Sequence, residues 1–266
     1  MKPNALIITL FSLALCATAC NSDNDEKIIN LVTYNVGVFS KSGTNTTDMV
    51  AAMMKEINAD VISMNELDSC TTRNPAYQIK DFAKAMYGWD YLYAPAIPHQ
   101  GGKYGIGIAH RPELKAKRSY YINLAKAGGA EQRSLAVCEF DDFVFCSTHL
   151  DHRVDEAQWS QVAQIDSLVA ADFGKSDKPV ILCGDLNALP DSKTISLFKK
   201  DWTIISPDDF TFPAKEPKKQ IDYVMVYKNA AGRVEVKDAR VCKSFVTGDV
   251  KVASDHLPVL VKIKIK

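Results

Sequence analysis

Val180-Ile181-Leu182-Cys183-Gly184-Asp185-Leu186-Asn187-Ala188 carries the pattern on which the fold turns. Its apolar run reads as a short buried strand, because a strand covered on both faces has no polar side to show. The character then changes at once, to Gly184, Asp185 and Asn187. The same grammar recurs outward from this point. Leu31-Val32-Thr33-Tyr34 ends at Asn35, and Val61-Ile62-Ser63-Met64-Asn65 ends at Glu66. Phe145-Cys146-Ser147-Thr148 ends at His149. Asp222 opens Ile221-Asp222-Tyr223-Val224, and Asp255-His256 precede Leu257-Pro258-Val259. A single carboxylate after a strand is ordinarily a cap or turn. Asp, Asn, His and Glu repeated at so many strand ends indicate one polar rim, which is how sheets build sites.

The rest of the body fits that frame. Ile28–Asn35, Val61–Met64, Trp89–Ala94, Gly105–His110 and Pro179–Cys183 read as strands, as do Ile221–Tyr227, Val234–Val241 and Val259–Ile265. Ser134–Phe140 and Phe143–Thr148, separated by Asp141-Asp142, read as a tight hairpin. Asp48–Ile57, Ile79–Met86 and Val154–Phe173 place apolar residues at helical spacing. Strands outnumber helices, and several are continuous apolar runs. The pattern predicts an α/β or α+β fold, with two packed sheets and helices outside. Without an internal repeat or a Pro/Gly/Ser-rich linker after residue 27, residues 28–266 read as one domain.

The 266 residues are 47% hydrophobic and 24% charged, which excludes wholesale disorder and low-complexity fibres. Lys plus Arg total 32 and so do Asp plus Glu. A formal charge of +0 gives no global basic field to collect nucleic acid or anionic membrane. Residues 1–19 read as a signal peptide: Lys2 at the start, an apolar run from Leu6 to Ala19, and small residues Ala17-Thr18-Ala19 at its end. The run is too short to span a bilayer, which takes roughly 20 apolar residues. Cys20 directly afterwards resembles a bacterial lipobox, which implies diacylation of Cys20. The acidic stretch from Asn21 to Glu26 then reads as part of a 20–27 tether. The expected location is the bacterial cell envelope, anchored to the outer membrane through lipid alone, on the periplasmic or surface side. Removing Cys16 and lipidating Cys20 leaves Cys70, Cys138, Cys146, Cys183 and Cys242, an odd set that excludes a complete disulfide framework. No cysteine spacing suits a structural zinc site.

Taken in order, six blocks resemble the endonuclease/exonuclease/phosphatase superfamily: Thr33-Tyr34-Asn35-Val36, Asn65-Glu66, Ser147-Thr148-His149-Leu150-Asp151-His152, Cys183-Gly184-Asp185-Leu186-Asn187-Ala188, Ile221-Asp222-Tyr223-Val224 and Ser254-Asp255-His256-Leu257-Pro258-Val259. The resemblance runs from about Ile28 to Lys266 and implies a four-layer α/β/β/α sandwich. It also implies a Mg²⁺-dependent phosphoester hydrolase, with Mn²⁺ as a substitute. By carry-over, Glu66 is a metal-ligand carboxylate with Asn35 beside it, and Asp255 helps the metal. A hard Mg²⁺ takes oxygen ligands and keeps several waters, so one or two carboxylates suffice. Asp185 orients or deprotonates water, and Asn187 holds the phosphate oxygens. His256 contacts the phosphate and pairs with Asp222, while His149 is a second imidazole on the leaving-group side. Arg133 resembles a phosphate-contacting arginine, whose planar donor fork suits phosphate.

Other residues read more plainly. His152, three after His149, is expected in a loop beside the site; His99 and His110 carry no motif. Gly101 to Gly107 lacks the ending of a phosphate loop and reads as a turn entering a strand, with Lys103 or Tyr104 near the site. Lys215-Glu216-Pro217-Lys218-Lys219 reads as a basic loop before Ile221. Three functions fit: a monomeric phosphodiesterase or phosphatase acting outside the cytoplasm on a lipid headgroup or small ester, a secreted nuclease, or a non-catalytic phosphate-binding protein. The neutral charge and the envelope address favour the first.

Overall fold

The computed structural model describes residues 27–266. The proposed signal peptide, the lipid site at Cys20 and nearly all of the tether lie outside the described residues.

Two packed mixed sheets of six strands each form the centre, with helices around them. The first contains β1 (Ile28–Asn35), β2 (Val61–Ser69), β3 (Asp90–His99), β4 (Gly102–His110), β11 (Val234–Val241) and β12 (Val259–Ile265), in the order β11-β12-β1-β2-β4-β3. The second contains β5 (Arg118–Asn123), β6 (Ser134–Glu139), β7 (Val144–His149), β8 (Val180–Asp185), β9 (Trp202–Ile204) and β10 (Asp222–Tyr227), in the order β5-β6-β7-β8-β10-β9. The sheets share one plan. A parallel pair sits at each centre, β1 with β2 and β7 with β8, and antiparallel strands flank it. Parallel neighbours need a crossover, supplied by α1 (Thr47–Glu56) in the first sheet and α3 (Asp155–Phe173) in the second. The fold thus repeats an arrangement that shows no repeat in sequence.

Alternation along the central strands divides the core. Phe145, Ile181 and Cys183 face the first sheet, while Val144, Cys146, Val180 and Leu182 face the helical layer. That outer layer is α3, whose buried stripe includes Ala157, Val162, Ile165, Val169 and Phe173, with α4 (Lys193–Phe198) beside it. On the far side α1 buries Val50, Met53 and Met54, and α2 (Gln78–Ala85) buries Ile79 and Phe82. A short α5 (Val250–Ala253) precedes β12.

Three sequence expectations need adjusting. β2 does not stop at Glu66 but runs on to Ser69, because a bulge between Met64 and Leu67 absorbs two residues and lets pairing with β4 resume. β3 and β4 are longer than their apolar cores, the added residues lying on a half-exposed ribbon at the sheet edge. β5 and β9 went unread: Arg-Ser-Tyr-Tyr-Ile-Asn is a mostly exposed edge strand, and β9 is only 3 residues long. The cysteines Cys70, Cys138, Cys146, Cys183 and Cys242 are all free.

Candidate active site

The site is one cross-strand row in each sheet. Asn35 lies beside Asn65 in the parallel β1–β2 pair. In the other sheet His149 lies beside Asp185, and Asp185 beside Asp222. Asn65 stitches the rows together: its Nδ2 donates to the Thr148 carbonyl (3.0 Å), and its Oδ1 accepts the Asp185 backbone N–H (2.8 Å). Beneath it Ser63 Oγ and Ser147 Oγ share a hydrogen bond of 2.7 Å. Gly184 makes the row possible. A Cβ there would sit 1.9 Å from the Thr148 carbonyl oxygen, and its φ of +150° disfavours a side chain. Glu66 (φ 58°) and Asn187 (φ 48°) also hold left-handed backbone, a cost met typically where function fixes geometry.

Asp185 is the hub. It is almost fully buried, and its Oδ1 accepts the Asn187 N–H at 2.9 Å. Its Oδ2 accepts from Asn35 Nδ2 at 3.0 Å and lies 3.5 Å from His149 Nε2 and 3.6 Å from His256 Nε2. Burial pushes the Asp185 carboxyl up to about 7; the His256 charge works against that shift and Asp222 adds to it. His256 Nδ1 meets Asp222 Oδ2 at 2.9 Å. Burial opposes a charge on His256, but the Asp222 and Asp185 carboxylates outweigh it and raise the imidazole to about 10. The Phe212 ring packs against it, with centroids 4.8 Å apart. Ser254 fixes the loop, donating to the Asn35 carbonyl (2.7 Å) and accepting the His256 N–H (3.2 Å). His149 behaves in the opposite way. Burial first, then the charges of Arg133, His256 and His152, hold it well below its ordinary value. In the substrate-free protein it is a neutral hydrogen-bonding imidazole rather than an acid.

Glu66, on β2, and Asp255, just before β12, stand at the same end of the first sheet and converge on one positive charge. Lys41 Nζ lies 3.4 Å from Glu66 Oε2 and 3.3 Å from Asp255 Oδ2. Two carboxylates gathered on a cation are the donor set that a hard divalent ion takes, so the residues fit Mg²⁺ or Mn²⁺. Asn35 turns its amide nitrogen toward Glu66 Oε1 (3.1 Å) and Asp185, and its Oδ1 accepts from Gly37 N–H. In this arrangement Asn35 positions the carboxylates. Among the described residues a second group, Asp185, Asp222 and His256, brings its ligand atoms within 4.8 Å of one another. Its imidazole lies between the two carboxylates, which raise its pKa and favour the ion-paired form. That trio is an ion-paired triad.

Every residue expected at the site except Arg133 enters this connected group. Arg133 instead contacts His152 and Glu131. Lys41 was not foreseen. It has no motif of its own, and only the turn after β1 (Gly37–Phe39) carries it back over the rim. Lys41, Lys215, Lys251 and Asp255 line a cavity of about 410 Å³ beside the carboxylates, so part of the basic loop borders the site. Tyr104 lies close enough to Glu66 and Arg133 to feel both charges.

The sequence profile described as the Endonuclease/Exonuclease/phosphatase family matches residues 32–256. No curated protein matches the chain. Solved structures do. An endonuclease/exonuclease/phosphatase from Bacteroides vulgatus is 18% identical, covering 90% of this chain and 100% of that one, with a TM-score of 0.74. The Bacteroides thetaiotaomicron mannosyl-6-phosphatase is 18% identical over 88% and 99%, with a TM-score of 0.73. The human Nocturnin catalytic domain is 16% identical over 90% and 94%, with a TM-score of 0.68. At these identities the likeness is one of fold, and it agrees with the paired six-stranded sheets. The profile match spans most of the sequence, so the chain belongs to the Endonuclease/Exonuclease/phosphatase family, whose members are phosphoesterases or nucleases.

Proposed function

We propose that the protein is a divalent-metal-dependent phosphoester hydrolase, a phosphatase or phosphodiesterase, acting outside the cytoplasm from a lipid anchor at Cys20. The observation that carries this reading is Asp185, a buried carboxylate between two imidazoles of opposite protonation. A base with a pKa near neutrality takes a proton from water efficiently at neutral pH. Water attacks phosphorus, the bond to the leaving oxygen breaks, and the water proton passes to Asp185 Oδ2. His256, kept charged by Asp222, donates to a phosphoryl oxygen as negative charge grows there. Asn187, fixed beside Asp185, offers its side-chain amide to the same oxygens. His149, neutral with one N–H, orients Asp185 through Nε2 on the leaving-group side, where the departing oxygen takes its proton from solvent. Glu66 and Asp255 would hold Mg²⁺, which when bound supplies positive charge to the phosphoryl oxygens.

Mannosyl-6-phosphatase activity in one structural neighbour keeps sugar phosphates among the substrates worth testing. The neutral net charge favours small esters over nucleic acid. The full chain in detergent should hydrolyse one of four substrates when Mg²⁺ is added: a sugar phosphomonoester, a small phosphodiester, a sphingolipid headgroup ester or plasmid DNA. His256→Ala should lower turnover by about 10²-fold or more, and Glu66→Ala should shift the Mg²⁺ titration to higher concentration. Absence of turnover on all four by folded, metal-loaded protein would favour a phosphate-binding protein instead. An unchanged Mg²⁺ titration would remove Glu66 from the metal.

A further inference from the structure

Arg133 is 3% exposed, yet its Nε has no hydrogen-bond partner. Its Nη2 lies 2.9 Å from His152 Nδ1, and on the other side of that ring Arg153 Nε lies 3.1 Å from His152 Nε2. Guanidinium nitrogens only donate, and a neutral imidazole has a single accepting nitrogen. One of the two contacts therefore sets N–H against N–H, and a protonated ring would set both. Nearby acceptors do not close the gap. Glu131 Oε2 reaches Arg133 Nη1 at 3.4 Å and goes no further. Asp151 is fully buried and committed to backbone: Oδ1 accepts from Arg153 and Val154, and Oδ2 from Ala130 and Glu131. That carboxylate ties the 130–131 loop to the 151–154 loop. It needs Gly129 to do so, because a Cβ there would sit 2.5 Å from Asp151 Oδ2. Two arginines and a histidine are thus held together with more donors than acceptors.

We infer that Arg133, His152 and Arg153 form an anion subsite that binds a phosphoryl group beside the one attacked, so that the substrate class is a phosphate ester carrying a second phosphoryl group. Its position in the sheet supports this. Leu135 pairs with Thr148, so Arg133 enters the rim one strand over from His149, two strands from Asp185. Two strand spacings of about 4.8 Å each separate it from Asp185, a gap that the long arginine side chain and a second phosphoryl group span together. His152 and Arg153 are exposed, so a ligand reaches them from solvent. The assignment of the attacked group rests on the hydrolase reading above, but the subsite can be tested without turnover.

Calorimetric titration of the full chain in detergent, with chelator present, should compare pyrophosphate with orthophosphate. Pyrophosphate should bind about 10-fold tighter or more, the gain expected for added charge-assisted hydrogen bonds. Arg153→Gln and His152→Ala should each bring the ratio toward one, with melting temperature confirming the fold. Lys175→Gln, which removes an exposed charge after α3, should keep the ratio. Equal binding of the two anions, binding of neither, a ratio kept in both variants, or a ratio equally lost in Lys175→Gln would each overturn the subsite. Failure to find a hydrolysed substrate would leave this result standing.

Discussion

Asp222 governs His256, and with it the upper limit of the working pH range. The raised His256 pKa of about 10 depends on two carboxylates that outweigh burial. The stability from this pair is complete below the pKa of an unfolded histidine and is lost as pH climbs through about 10. Burial raises Asp185 at the other end, to about 7, and the proposed base must be ionised to act. The rate should therefore rise as pH passes about 7 and fall where His256 loses its proton, giving a bell whose limbs belong to a coupled pair. In Asp222→Asn the larger of the two carboxylate contributions to His256 is lost, so the alkaline limb should move to lower pH. A pH–rate profile measures this; an alkaline limb that stays in place would assign it to another group.

At the scale of elements, the site depends on how two sheets are held in register. Asn65 spans the gap between them, pairing with the Thr148 carbonyl and the Asp185 N–H. Asn65→Ala leaves both backbone groups buried without partners, at about 1–3 kcal/mol each. The melting temperature should drop, and turnover should fall further than the loss of folded protein explains, because Asp185 loses its backbone tether. Denaturant unfolding alongside single-turnover rates separates the two effects. A variant with wild-type stability and rate would show that the sheets are aligned by the apolar core alone. The bulge in β2 works alongside this tie. Met64 pairs with Gly107 and Leu67 with Gly105, so Asn65 and Glu66 share the space opposite Ile106. That surplus residue turns Glu66 toward Lys41 and Asp255.

Considered whole, the molecule has little electrostatic reason to bind a membrane. Its formal charge is +0, and among the described residues no helix is long and apolar enough to cross a bilayer. In the proposed reading, anchoring would fall to acyl chains at Cys20, and two chains hold far better than one. Cys20→Ser should move the protein from the membrane to the soluble fraction in cell fractionation. Persistent membrane association would place the anchor elsewhere.

The sequence by itself determined the strand-rich two-sheet fold and the polar rim. Central strands buried on both faces must be continuously apolar, so their ends stand out: Asn35, Glu66, His149, Asp185, Asn187, Asp222, Asp255 and His256 could all be read from that contrast. The edge strand Arg118–Asn123 escaped because one exposed face erases the apolar run. Only the tertiary structure decided which of these groups meet and what surrounds them. A charge state depends on what surrounds a group across the fold: Asp185 and His256 are 71 positions apart in the numbering, yet lie at 3.6 Å. Lys41 and Arg153 carry no sequence pattern and His152 only closes one, and all three gain their place from loops that Glu66, Asp255 and Asp151 draw together. Burial and proximity fix the chemistry, and both are properties of the folded chain.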